Sequence, residues 1–366
     1  MEAVGLIRKI LYALFYKNKF FIPMVGCICL AIAFLMFSLF SKIEAKNRAK
    51  SNEITPASMM FNVPVEAMEH VLDVVTENGE NSASELNFVN LLSLLAAKYD
   101  GDWSEFDKAD LKVLVSEFKS GATEKQLAQP FGKTYIAFKS FYESIFKETV
   151  GPFKISKKNN AQGQPIFENK FGLKAYFPIA YNFETTFLND YEKENKHLSS
   201  THHLGVDLNS KLKTPVVAVE SGIVKECGKT HDFGWQVVIQ SFDGLRTYYY
   251  SNCYKNKPFA TGIKPKVAVK AGQVVAYVGA TSCCSKKVVR AQHWPHLHFG
   301  MSLKLKNQPN QPEVHLNPYR ILQFLQHHKS VVEKSKGDFG FVNKYKFKDP
   351  SYEAYVNKHK DALGIE

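Results

Sequence analysis

His202-His203-Leu204-Gly205-Val206-Asp207 and His293-Trp294-Pro295-His296-Leu297-His298-Phe299-Gly300 are the two stretches on which the reading of this chain turns. Gly205 and Val206 make a helix poor at the first, so it is read as extended. Side chains alternate along a strand, which puts His203 and Asp207 on one face. The same period puts His296 and His298 on one face of another strand. Two such edges side by side bring together three or four metal-type ligands. A His-Asp-His set with one open position is what catalytic zinc requires. Either histidine pair alone reads as readily as a surface or core feature. Their joint occurrence, in order, with a β pattern between them, carries the signal.

That β pattern is regular. Pro215-Val-Val-Ala-Val219 and Ile223-Val224 flank Ser221-Gly222, and Gln236-Val-Val-Ile-Gln240 and Arg246-Thr-Tyr-Tyr-Tyr250 flank the turn signal Asp243-Gly244. Val267-Ala-Val269 and Gln273-Val-Val-Ala-Tyr-Val278 flank Ala271-Gly272. After Asn317 an amphipathic helix (Tyr319, Ile321, Leu322, Leu325) closes the domain, and residues 331–366 read as a charged tail.

N-terminal to this lies a different rhythm. Val65, Met68, Leu72 and Val75 fall at helical spacing behind Asn62 and Pro64. Phe88, Leu91, Leu92, Leu95 and Tyr99 repeat it, as do Leu111, Leu114, Val115 and Phe118, and then Phe138, Phe141, Tyr142, Ile145 and Phe146. Such stripes are core rather than cofactor sites. Residues 61–150 thus read as a small helical domain, and 151–172, rich in Lys, Asn, Gln and Gly, as a linker to a β domain at 173–330. The helical domain has no visible chemistry and leaves room for a protein partner.

Phe20 to Ser41 carries no ionisable side chain and is framed by Lys17, Lys19 and Lys42. As a helix it spans roughly 33 Å, enough for a hydrocarbon core. Its exit, Ser41-Lys-Ile-Glu-Ala45, lacks the small-x-small pattern of a cleaved signal. It is read as one transmembrane anchor, with residues 1–19 inside, 42–60 a stalk, and the bulk of the chain extracytoplasmic. The net charge is +12 in 366 residues, and the first fifty residues hold about half of it. The remainder is scattered, which argues against a nucleic-acid partner. Cys227, Cys253, Cys283 and Cys284 include no CxxC pair, so a thiolate zinc knuckle is not expected.

Residues 200–303 resemble the catalytic domain of lysostaphin/LytM-type zinc endopeptidases. The family's H-x-G-x-D motif is matched by His203-Leu-Gly-Val-Asp207, followed by Thr214-Pro-Val-Val-Ala218 and Gly222. Its valine/glycine stretch is matched by Val269-Lys-Ala-Gly-Gln-Val-Val-Ala-Tyr-Val-Gly279, and its H-L-H-F signature by His296-Leu-His-Phe299. The resemblance implies that His203, Asp207 and His298 hold Zn2+, and that His296 moves the proton during attack on a peptidoglycan peptide bond. His202 and His293 are then spare. Tyr250-Ser251-Asn252-Cys253 departs from the family's Tyr-x-His-Leu, so that Asn252 stands where a second catalytic histidine belongs; a shift of one residue puts Ser251 there. Asn donates a neutral amide hydrogen bond toward an oxyanion but carries no charge and shuttles no proton.

The expected fold is α+β: a C-terminal antiparallel β domain of LytM type, a small N-terminal all-α domain and one transmembrane helix. Three functions stay open: a membrane-anchored zinc endopeptidase of the wall, slowed by the change at Asn252; a catalytically degenerate wall-binding regulator or scaffold; and a binding module with structural zinc.

Overall fold

The computed structural model describes, besides Gly5, residues 61–79, 85–193, 202–282, 294–306, 310–335 and 340–360. The expected anchor at 20–41 and stalk at 42–60 lie outside these residues, as do His293, Cys283 and Cys284. Among the described residues no helix is long and apolar enough to cross a membrane.

Helices form where the apolar stripes lie: α1 (Val65–Asn78), α2 (Phe88–Lys98), α3 (Lys108–Lys119), the short α4 (Glu124–Ala128) and α5 (Gly132–Phe146). The starts of α2, α3 and α4 carry side-chain caps that satisfy otherwise orphaned amides. Asn87 accepts from Asn90 N, Asp107 from Ala109 N, and Thr123 forms a capping box with Gln126. Most of α2 is buried, Leu91, Leu92, Leu94 and Leu95 completely, so it is the central helix around which the others pack.

Residues 151–172 are not a linker. β1 (Val150–Asn159) and β2 (Pro165–Leu173) form an antiparallel hairpin. The polar composition that suggested a linker belongs to a ribbon with mostly solvated faces, and such strands carry little apolar alternation. The main sheet follows, built from β3 (Val206–Asn209), β5 (Gly222–Thr230), β6 (Gly234–Ser241), β7 (Arg246–Cys253), β8 (Ala268–Val269), β10 (His296–Leu303) and β11 (Val314–Leu316). Its order is β11-β10-β7-β6-β5-β8, and β3 shares with β11 the outer edge of β10. β4 (Pro215–Val217) and β9 (Val274–Tyr277) pair separately, and α6 (Tyr319–Leu325) packs against the helices through Phe324, stacked on Phe88 at 5.9 Å.

Nor are the described residues of the charged tail, 331–335 and 340–360, without structure. β12 (Val332–Lys334) pairs β13 (Phe341–Asn343), β14 (Lys346–Lys348) adds to the edge of β1, and α7 (Pro350–Lys358) follows. Buried Lys174 and Asp349 pair at 3.0 Å and fasten this segment down. Helical and β regions share one hydrophobic core instead of forming separate domains. Arg246, 2% exposed, seals their junction: its Nε donates to Glu220, Nη1 to Ser144 O at 3.2 Å and Nη2 to Lys147 O at 2.9 Å. The last two are the open carbonyls at the C-terminus of α5, which a cation suits well.

Candidate metal centre

β10 and β3 run antiparallel with His298 directly opposite Asp207 and His296 opposite Asn209. The period of two therefore aims His296, His298 and Asp207 at one face. His203 arrives differently. The extended segment expected over 202–207 begins as a strand only at Val206, and His203 lies in the loop before it. That loop is strapped to 190–193: His203 N donates to Lys193 O and Glu192 N to His203 O. Gly205 is what lets the chain pass. A Cβ there would lie 2.6 Å from His298 Cε1 and 2.7 Å from Phe299 O, so no other residue fits beside the ring.

The three side chains converge. His203 Nε2 lies 2.9 Å from His298 Nδ1 and 3.1 Å from Asp207 Oδ1, and His298 Nδ1 lies 3.1 Å from the same oxygen. These edges are close to the roughly 3.3 Å that tetrahedral bonds of 2.0–2.1 Å impose on neighbouring ligand atoms. The hydrogen bonding points the same way. His203 Nδ1 lies 2.9 Å from the carbonyl of Asp190, which can only accept. In the neutral ring Nδ1 then holds the proton, and the lone pair on Nε2 faces a carboxylate and a second imidazole. Two imidazole nitrogens and a carboxylate oxygen gathered within 4.8 Å of one another form a donor set that suits a metal cation. Burial opposes charging His203, but Asp207 and Asp190 overcome it and raise its pKa to about 9. Burial likewise works against the Asp207 carboxylate, yet the hydrogen bonds of His203 and His298 hold it far below the usual carboxylate range.

Around this triangle the remaining residues sort themselves. His296 is partly exposed, its Nδ1 is 3.0 Å from Trp294 O, and its Nε2 lies 3.6 Å from Asp207 Oδ2. The imidazole nitrogen free of the backbone thus faces the site. Phe233 stacks on His298 at 5.2 Å. His202 is exposed and lies outside the triangle.

Asn252 does not do what the sequence suggests. Its Nδ2 donates to His296 O at 3.0 Å and Gly279 O at 3.4 Å, while Oδ1 accepts from Thr281 N and Ser282 N. Both amide hydrogens and both lone pairs are spent on backbone, and the residue sits at φ 65° where Asn is tolerated. It clamps three segments and has no donor left for an oxyanion. Ser251, one residue earlier, is the one opposite His298, and its Oγ donates to Gln236 Oε1 at 2.8 Å. Register, not alignment of letters, identifies it. Asp190, which orients His203 through its carbonyl and accepts from Asp207 N through its carboxylate at 3.4 Å, had no motif to announce it.

Residues 201–312 match peptidase family M23. A stretch of 120 residues is 29% identical to lysostaphin of Staphylococcus simulans, covering 31% of this chain and 22% of lysostaphin. The chain thus spans about a fifth of the length of that curated relative. Among solved structures, a putative glycyl-glycine endopeptidase LytM from Ruminococcus gnavus aligns over 75% of this chain and 92% of its own, at 19% identity and a TM-score of 0.48. The catalytic domain of the antimicrobial peptidase lysostaphin aligns over 39% of this chain and 93% of its own, at 24% identity and a TM-score of 0.30. The match to peptidase family M23, of lysostaphin/LytM type, is thus confined to residues 201–312, which lie between a helical region and a C-terminal β–α segment.

Proposed function

We propose that this protein is a zinc endopeptidase that hydrolyses peptide bonds of peptidoglycan, held at the outer face of a membrane by residues 20–41. The observation that carries the reading is the triangle of His203 Nε2, Asp207 Oδ1 and His298 Nδ1, with Asp207 still 30% exposed on its open side. Zinc bound there supplies a Lewis acid for the scissile carbonyl and makes water a nucleophile near neutral pH. The chain's own residues do the rest. The Asp190 carbonyl fixes the His203 ring, and Phe233 fixes that of His298. His296, oriented by Trp294 O, accepts a proton from the attacking water at Nε2 and returns it to the leaving amine.

One observation favours a second reading, a wall-binding scaffold with little turnover. The position opposite His298 is held by Ser251, already bonded to Gln236, and Asn252 is committed elsewhere. Loss of one oxyanion donor typically costs about 10² to 10³ in rate. The test uses the full-length chain, loaded with one equivalent of zinc, and purified peptidoglycan. Release of new amino groups that disappears in Asp207→Ala and falls in His296→Ala supports the enzyme. Bound zinc without release of amino groups, in wild type and variants alike, leaves the scaffold. A chain that takes up no zinc overturns both.

A further inference from the structure

On the far side of the β1–β2 hairpin, the segment that follows β13 folds back to form a cleft of about 910 Å3. Five ammonium groups line it: Lys157 of β1, Lys270 beside β9, Lys344, and Lys346 and Lys348 of β14. Glu333 is the only carboxylate in that lining. Among the described residues none of the five pairs with a carboxylate within 4.0 Å. Of the acids nearby, Asp349 is paired with buried Lys174, and Glu353 acts on Lys270 only at longer range.

Aromatic faces hold four of these cations in place without neutralising them. Lys157 and Lys344 both lie over the Tyr345 ring, at 5.8 and 5.9 Å, while Lys270 lies over Tyr352 at 4.7 Å and Lys348 over Phe167 at 4.5 Å. Burial lowers the pKa of Lys270; the charges of Lys348 and Lys346 add to the effect, and those of Glu353 and Asp349 oppose it. Lysines on an edge strand also serve to block edge-to-edge pairing, and Lys346 and Lys348 on the exposed face of β14 do so. That role needs neither Lys157 nor Lys270, which come from other elements and face the same cleft. Five gathered ammonium groups, four of them held over aromatic rings and none paired with a carboxylate within 4.0 Å among the described residues, are the preorganised half of an anion site. On β14 the spacing of two residues repeats positive charge about every 6.8 Å, which suits a chain of regularly spaced anions better than one small ion.

We propose that this cleft binds a linear polymer carrying phosphodiester groups, recognised by charge. The site shares no residue with the metal centre, so it stands or falls independently of the peptidase reading. The experiment measures binding of a fluorescent poly(glycerol phosphate) oligomer to the full-length chain in neutral detergent across a salt series. Neutralising five ammonium groups predicts a log–log salt slope of up to about −3.5. Binding is expected to weaken at least tenfold in Lys270→Gln/Lys346→Gln/Lys348→Gln, with a shallower slope. The pair Lys346→Gln/Lys348→Gln, which leaves half-buried Lys270 in place, is expected to weaken it about threefold to tenfold. Lys112→Gln/Lys119→Gln/Lys125→Gln removes the same charge from the exposed face of the helical region and is expected to leave binding unchanged. Equal loss in that control, or no loss in either cleft variant, overturns the proposal. If the cleft variants lose binding only to phosphatidylglycerol vesicles and not to the oligomer, the phosphodiester belongs to a lipid surface and the polymer assignment fails.

Discussion

The charge clusters around Arg246 and around Asp207 are built on opposite principles. Around Arg246 every guanidinium nitrogen has an acceptor: Glu220 on Nε, the α5 carbonyls of Ser144 and Lys147 on Nη1 and Nη2, and Asp243 on Nη2. Tyr248 closes the set by donating to Glu220 at 3.0 Å. Around Asp207 the opposite holds: His203 Nε2 and His298 Nδ1 both point at one carboxylate oxygen, while the outer nitrogen of His203 is already committed to a carbonyl. A closed network joins parts; an open one waits for a ligand. Burial alone does not separate the two. What separates them is whether donors and acceptors balance.

The comparison can be broken by removing one member from each cluster. Arg246→Ala strands the Glu220 carboxylate and two helix carbonyls in the core and should cost about 3–5 kcal/mol, read as a lowered denaturant midpoint. A loss below about 1 kcal/mol would mean that the junction of helices and sheet does not depend on it. Next in size is Asn252→Ala, which removes the bonds the side chain makes to half-buried Thr281 N and Ser282 N and to the carbonyls of Gly279 and His296. It should lower stability by about 2–3 kcal/mol without changing zinc stoichiometry. Were Asn252 a catalytic donor instead, activity would collapse while stability held. Gly205→Ala forces a methyl into His298 and Phe299 and should cost about 1–3 kcal/mol, together with a weaker grip on zinc seen by competition with a chelating dye. The smallest change is expected of His202→Ala, within about 0.5 kcal/mol in stability and with zinc affinity retained. Ser251→His sharpens the contrast from the other side: a titratable donor opposite His298 should raise peptide release by up to about a hundredfold if its absence is the defect.

Much was legible beforehand because the relevant physics is local. The apolar stripes at 65–75, 88–99 and 138–146 marked helices, since a helix needs only its own period to declare which face is buried. The alternation in His296-Leu-His298 placed those two imidazoles on one face for the same reason, whereas His203 reaches the centre from a loop. Two segments misled. Residues 151–172 and the chain after 331 look like solvated spacers, because polar ribbons gain their order from partners elsewhere in the chain.

By itself the amino-acid sequence determined the four side chains that meet at the centre, the glycine between them, and the helical and β halves. Periodicity and residue chemistry act over a few neighbours and are written in order. Only the tertiary structure decided that Ser251 and not Asn252 faces His298, that the Asp190 carbonyl sets the His203 ring, and that five lysines from separate elements share one cleft. Those outcomes depend on strand register and on one residue at positive φ, which shift with long-range pairing and leave no local trace.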